Sequence, residues 1–295
     1  MKYLVLMAIL FSSLVHAKSL KILSWNIYMI PKPILWSHQL DRADEIGNQL
    51  AQSDYDVIFF QEAFTPATRK KIWKKLKDKF PHESGTFKRR KFLTVLNSGL
   101  WAMSRYPLTV LDHVYFDECT GTDCLATKGS LLIELQLPHR KIQIAGTHTQ
   151  AWPGIKQDNI RYSQLTQMRD LMDEFREPGV DQVILGDLNF DDKKPHYGQA
   201  INDLLSTVTS PLTGAIQFSA GEATNIHTTG KDHPELLDYL LLRNDSSTGS
   251  KIKNKMLRKL TMERKGKPYD LSDHYGIEAE IEFAKSEIPV LSEGH

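Results

Sequence analysis

Short apolar runs recur along the chain at residues 20–23, 57–60, 99–104, 130–137, 142–146, 182–185, 236–242 and 276–283. Their length and their content of Ile, Val, Leu and Phe predict strands. Between two of them, Leu165, Met168, Leu171, Met172 and Phe175 recur at helical spacing, and Pro178-Gly179 stops the pattern. Residues 42–52 and 66–80 are shorter helical candidates. The second carries Lys70, Lys71, Lys74, Lys75, Lys77 and Lys79, which read as a solvated helix surface. Strands mixed with helices, some strands adjacent in sequence, predict an α/β sandwich rather than a purely parallel sheet. No repeat, linker or low-complexity tract interrupts the pattern, so residues 18–285 are read as a single domain and 286–295 as a frayed tail.

The first residues stand apart. Met1 and Lys2 precede a mostly apolar stretch over 3–15, and Val15-His16-Ala17 places small residues at the outer positions of a cleavage site. Residues 1–17 are therefore expected to be a signal peptide cut after Ala17, giving a secreted or periplasmic protein. The stretch is too short to cross about 30 Å of hydrocarbon. Only two cysteines are present, Cys119 and Cys124, and in an oxidising compartment they are expected to form a local disulfide that fixes a loop.

Composition narrows the function. The 295 residues carry 37 Lys and Arg against 36 Asp and Glu. Removal of Lys2 with the leader leaves no net charge. That balance argues against a protein held on nucleic acid by phosphate neutralisation. The aromatic content, 12 Phe, 10 Tyr and 5 Trp, supplies a large core and excludes disorder.

Chemistry appears where the apolar runs end. The run before Asn26, the one before Glu62, the one before His148 and the one before Asp187 and Asn189 each terminate in a hydrogen-bonding or metal-binding group. Asp273 and His274 immediately precede the last run. A single such residue is explained by capping, but ligand sites in α/β proteins are built at strand ends, and five together predict convergence on one site. Carboxylates and amides without cysteine suit a hard cation, Mg²⁺ before Zn²⁺. A hard cation with two histidines suits hydrolysis of a phosphate ester. No nucleophile elbow, Walker loop or dinucleotide fingerprint is present.

In chain order, Ser24-Trp25-Asn26, Phe60-Gln61-Glu62, Gly146-Thr147-His148, Gly186-Asp187-Leu188-Asn189, Leu237-Asp238-Tyr239 and Ser272-Asp273-His274 resemble the DNase-I-like endonuclease/exonuclease/phosphatase superfamily. The resemblance implies a four-layer αββα sandwich with its active site at the strand ends. It implies that Glu62 is the principal Mg²⁺ ligand with Asn26 beside it, that Asp273 completes the metal environment, and that Mn²⁺ or Co²⁺ are substitutes. Asp187 and Asn189 would position water and phosphate. His274, held by Asp238, would be the general base, and His148 would stabilise the phosphoryl oxygens or assist the leaving group.

The segment from Cys119 through Cys124 to Lys128-Gly129-Ser130 is similar to a loop of neutral sphingomyelinases, and Thr147-His148-Thr149-Gln150-Ala151 and Asn26-Ile27-Tyr28-Met29 resemble strings of the secreted bacterial members. This implies a Mg²⁺-dependent sphingomyelin phosphodiesterase releasing phosphocholine and ceramide. The alternatives are a secreted nuclease or another phosphodiesterase or phosphatase of the superfamily, and, behind these, a lipid-binding protein without turnover. Lys128 is expected either to approach the phosphate or pair with an active-site acid, or to be an exposed loop lysine. A membrane substrate calls for interfacial residues, and Trp36, in the apolar 29–36 segment, and Trp152 are the candidates; packing on the domain is the other reading. The expected partner is a sphingomyelin-containing membrane surface, met peripherally by a monomer with no stable nucleic acid and no obligate protein partner. Two departures from the resemblance stand out. Residues 256–267 are basic where an aromatic-tipped hairpin is common, and Ala223-Thr224-Asn225-Ile226 replaces a usual Trp-Asp, so no role is assigned there.

Overall fold

The computed structural model describes residues 19–89, 94–208, 210–228, 233–244 and 248–284; the expected leader over 1–17 and tail over 286–295 lie outside them. The chain runs β1 (Ser19–Asn26), α1 (Gln39–Ala51), β2 (Val57–Gln61), α2 (Pro66–Leu76), β3 (His82–Glu83), β4 (Trp101–Ser104) and β5 (Leu108–Tyr115). It continues through β6 (Gly129–Gln136), β7 (Lys141–His148), α3 (Ile155–Glu174), β8 (Asp181–Asp187), α4 (Pro195–Leu205) and β9 (Asp238–Leu242). The last elements are β10 (Lys251–Arg258), β11 (Thr261–Arg264), β12 (Lys267–Asp270) and β13 (Gly276–Glu282). One sheet has the order β10-β13-β1-β2-β4-β3, a second the order β5-β6-β7-β8-β9, and β11 and β12 form a separate hairpin.

Alternation along the strands builds the layers. In β1, Leu20 and Ile22 face inward with Val57 and Phe59 of β2, against Ile133, Ile144, Val183, Leu185 and Leu240 of the other sheet. The intervening Leu23, Trp25, Ile58 and Phe60 face outward under Ala43, Ile46 and Leu50 of α1 and Ile72 and Leu76 of α2. On the opposite side Leu132, Ala145, Ile184 and Leu241 lie under Leu165, Met168 and Met172 of α3 and Ile201 and Leu205 of α4. Both faces of each sheet are covered, which explains why the central strands read as continuous apolar runs. The four-layer αββα sandwich expected from the sequence is the fold observed.

The differences from expectation are local. The first helix begins at Gln39, not residue 42, and the second ends at Leu76, not residue 80. The lysine face of α2 is only partly solvated: Lys71 and Lys75 reach Asp44 of α1 at 3.3 and 3.6 Å, and Lys79 donates to the Ala51 carbonyl at 3.1 Å. Strands β5 and β10 escaped the apolar pattern because they are half-exposed edge strands, as in the Lys251–Arg258 sequence KIKNKMLR. Helix α4 was not singled out from the sequence although Tyr197, Ile201, Leu204 and Leu205 recur at helical spacing and pack on the sheet.

The two sheets come close together at Gly146 of β7. A Cβ built there would lie 2.0 to 2.4 Å from ring atoms of Phe59. Gly146→Ala is therefore expected to destabilise the fold by about 1–3 kcal/mol through overpacking, measured by urea unfolding. Phe59→Leu in the same chain should recover part of that loss; strictly additive losses would show that the ring contact is not the cause.

Candidate active site

Strand register assembles the site. In the second sheet His148 pairs with Asp187 and Asp187 with Asp238, so the ends of β7, β8 and β9 set three functional side chains in one row. In the first sheet Asn26 pairs with Gln61, which places Glu62 just past the end of β2. The amide of Asn26 joins the sheets: its Nδ2 donates to Glu62 Oε1 at 3.3 Å and to Asp187 Oδ2 at 3.2 Å. His148 Nε2 lies 3.4 Å from the same Asp187 oxygen, and its Nδ1 is 3.9 Å from Glu62 Oε1.

His274 completes the row from the loop before β13. Its Nδ1 is 2.8 Å from Asp238 Oδ2, and its Nε2 is 3.7 Å from Asp187 Oδ2. Among the bonds that hold that loop, Ser272 Oγ donates to the Asn26 carbonyl at 2.6 Å, Trp25 Nε1 to the His274 carbonyl at 2.9 Å, and Asn225 Nδ2 to the Ser272 carbonyl at 2.9 Å. Asn189 turns back on the strand end, its N–H donating to Asp187 Oδ1 at 3.0 Å and its Nδ2 to the Thr149 carbonyl at 3.2 Å. Glu62 and Asn189 both hold left-handed backbone, φ 54° and 52°, a conformation that L-residues keep only when the surroundings fix it.

Lys128 is buried, and the exposed-loop reading of it is corrected. Its Nζ donates to the Thr149 carbonyl at 2.8 Å and lies 3.4 Å from Asp123 Oδ2. Asp123 sits inside the ring closed by the Cys119–Cys124 disulfide and accepts from the Ala151 N–H at 2.6 Å. Gln150 clasps the same ring, accepting from the Thr120 N–H at 2.8 Å and donating to the Thr120 carbonyl at 3.2 Å. The disulfide loop is thus fastened to the segment that follows His148.

Burial and charge pull the titrating groups apart. Burial and the nearby Asp273 push Glu62 up to about 8, against the opposing pull of Lys128 and His274. Burial alone would raise Asp187, but His274, His148 and Lys128 together hold it below the ordinary aspartate value. Burial raises Asp238 to about 6 despite its imidazole partner. For His274 burial works downward, yet Asp238, Asp187 and Asp273 outweigh it and keep the ring well above the usual histidine value. Burial and Lys128 lower His148 to about 4, so that ring is neutral at pH 7. One row therefore contains a charged and a neutral imidazole.

Of the residues singled out from the sequence, Asn26, Glu62, His148, Asp187, Asn189, Asp238, Asp273, His274 and Lys128 come together here. Trp36 and Trp152 do not enter the cluster; they are 58% and 64% exposed. Met29, placed with Trp36 in one interfacial segment, is instead wholly buried in the core. The supporting residues Asn225, Ser219, Gln150 and Arg42 were not found from the sequence. Ser219 Oγ accepts the Asp238 N–H at 3.1 Å. These are buried polar groups in loops or on a helix face, and no periodicity marks them.

Two facing sheets under helices, with acids, amides and histidines gathered at one set of strand ends, define a class of protein. The chain belongs to the endonuclease/exonuclease/phosphatase family, whose model matches residues 23–274. Among curated relatives, sphingomyelinase C of Leptospira interrogans is 27% identical over 80% of this chain and 46% of its own length. The chain thus spans about half of that relative. Sphingomyelinase C of Listeria ivanovii is 26% identical over 87% of this chain and 84% of its own. A crystal structure of a beta toxin double mutant from Staphylococcus aureus with bound magnesium ions shares the fold at a TM-score of 0.76, with 22% identity over 90% of this chain and all of that one.

The Asp238–His274 bond carries a direct expectation. Asp238→Asn removes the nearest charge that favours the imidazolium, so the His274 pKa should fall, read by NMR titration of its ring in EDTA-treated protein. An unchanged titration would show that Asp187 and Asp273 alone hold the proton.

Proposed function

We propose that the chain is a secreted Mg²⁺-dependent sphingomyelin phosphodiesterase, cleaving sphingomyelin to ceramide and phosphocholine. The observation that carries the reading is the row His148, Asp187, Asp238, His274 closed across the sheets by Asn26 and Glu62. The names of the relatives, two of them sphingomyelinase C, support the substrate class, and the magnesium in the staphylococcal structure supports the cofactor.

The donor set fits the cation. Glu62 Oε2 is buried without a hydrogen-bond partner, and the nearby Asp273 adds to burial in disfavouring its charge. The carboxylates Glu62 and Asp273 offer oxygens, the preference of Mg²⁺, while the Asn26 amide turns Nδ2 to Glu62 and Oδ1 to the Tyr28 N–H, so it would join them by turning its oxygen to the ion. Asp187, Asp238 and His274 also bring one ligand atom each within 4.8 Å of one another. A protonated imidazole bonded to Asp238 has no lone pair to offer, so Glu62, Asn26 and Asp273 are assigned as the holders. When bound, Mg²⁺ polarises the phosphoryl group and offsets the acids that otherwise keep a proton on His274.

The chain's own residues do the rest. Asp238 fixes the His274 tautomer so that Nε2 faces the Asp187 side of the row, where it takes the proton of the attacking water as that oxygen bonds phosphorus; the bond from phosphorus to the ceramide oxygen breaks, and that oxygen leaves as the alcohol with a proton from solvent. Asp187 and Asn189 orient that water and the phosphate. Neutral His148 offers a ring N–H to the phosphoryl oxygens, and Lys128 adds positive charge behind it.

Docking on lipid is assigned to one surface. Ile34 and Trp36 are each 58% exposed, and the Trp36 ring meets His38, which meets Tyr269 of the β11–β12 hairpin, centroids 5.8 Å apart in both pairs. Lys32 lies over Trp36 and Arg264 over Tyr269. The apolar loop and the basic hairpin with Lys265 and Lys267 thus form a single aromatic and basic rim, suited to an interface with anionic head groups. Trp152 and Ile155, 64% and 82% exposed, are further exposed apolar residues a few positions after His148.

Purified protein incubated with sphingomyelin vesicles should release phosphocholine with Mg²⁺ and not with EDTA. His274→Ala should lower turnover by about 10²–10⁴-fold while Mg²⁺ binding persists, whereas Glu62→Ala should weaken both. Plasmid nicking without phosphocholine release would make the protein a nuclease, and vesicle binding with no ester hydrolysed would make it a lipid-binding protein. For docking, Trp36→Ala should reduce sedimentation with vesicles, and Lys265→Glu with Lys267→Glu should do so only when anionic lipid is present. Hydrolysis of a water-soluble phosphodiester should be unchanged in both of these docking variants.

A further inference from the structure

Arg42 of α1 is wholly buried and makes no ion pair through its hydrogen bonds, all of which go to uncharged oxygens. Nε donates to the Ser37 carbonyl at 2.8 Å. Nη1 donates to the carbonyls of Ile27 at 3.0 Å and Leu271 at 2.7 Å. Nη2 donates to the carbonyl of Tyr28 at 2.6 Å and to Ser37 Oγ at 2.7 Å. Every donor of the guanidinium fork is used.

The acceptors come from three places in the chain. Ile27 and Tyr28 directly follow Asn26; Leu271 directly precedes Ser272, Asp273 and His274; Ser37 lies in the loop that leads into α1. A buried charge is costly to place, and satisfying these carbonyls does not by itself require one. What the charge adds is a field felt at the site, for both Asp273 and Glu62 lie close enough to interact with it. Rigidity and field point at the same two segments.

We propose that Arg42 is a positioning residue for the site, fastening the segment that carries Asn26 to the segment that carries Asp273 and His274. It touches neither substrate nor cation. The assignment rests on the reading of those residues as the catalytic and metal-holding set, and it deepens that reading by naming what keeps the two halves of the set in register.

Lysine keeps the charge but offers a single point donor in place of the planar fork. Arg42→Lys is expected to fold, to lose Mg²⁺ affinity by calorimetry and kcat on sphingomyelin vesicles by about 10–100-fold, the range for groups that orient ligands from behind, and to leave KM unchanged. Amide hydrogen exchange should quicken at residues 27–29 and 271–275 and nowhere else. Ser37→Ala, which keeps Arg42 and removes one acceptor, should show the same pattern more weakly and serves if the lysine variant does not fold. Ile46→Val, on the core face of α1, should lower the melting temperature without changing Mg²⁺ affinity. Wild-type Mg²⁺ affinity and exchange in both Arg42→Lys and Ser37→Ala would overturn the proposal, as would a loss of affinity in Ile46→Val as large as theirs. Should the wild-type protein itself neither bind Mg²⁺ nor release phosphocholine, the functional reading fails, and localised exchange at the two segments still decides the role of Arg42.

Discussion

The side-chain amide of Asn26 bonds acids that belong to different sheets. Glu62 follows a strand of the six-stranded sheet and Asp187 ends a strand of the five-stranded one, and both accept from the same Nδ2. Two sheets packed through apolar faces are free to slide by a fraction of an ångström, since apolar contact has no preferred direction. A hydrogen bond does have one. By placing a directional bond where the sheet ends meet, the fold sets Glu62 at a fixed distance from the row that strand register builds from His148, Asp187 and Asp238.

The electrostatics follow from depth. Glu62, Asp187, Asp238 and Asp273 sit together where burial disfavours charge, and the positive groups near them are Lys128, His274 and, farther back, Arg42. The acids respond differently because their neighbours differ: Asp187 faces two imidazoles and a lysine and stays ionised, while Glu62 faces Asp273 and is pushed up. Such a cluster is under-compensated by the chain alone, which fits the cation proposed above. The two histidines divide in the same way, His274 charged among acids and His148 neutral beside Lys128.

Outside the site, the structure gathers features that are far apart in sequence. The Ile34 to Trp36 loop and the basic 258–267 region stand as separate alternatives along the chain, yet the His38 to Tyr269 ring contact makes them neighbours. The disulfide ring is likewise remote in sequence from His148, but Gln150 and Asp123 tie the two together.

Much of this was legible in the sequence. Central strands buried on both faces must be apolar throughout, so runs such as 57–60 and 182–185 announce themselves, and their polar ends mark where the chain leaves the core. The sequence by itself therefore determined the sandwich and marked the strand ends at which these acids and histidines gather. The edge strands β5 and β10 were not legible, because half-exposed strands need no apolar run. Nor were the burial of Lys128, the fork of Arg42 or the Asn225 bond to Ser272, because each is a polar group with partners that lie as far as 21 to 229 positions away. Local patterns record whether a residue meets solvent or core. Which oxygen meets which nitrogen, and so which proton stays where, is fixed only when distant segments close on one another, and that was left to the tertiary structure.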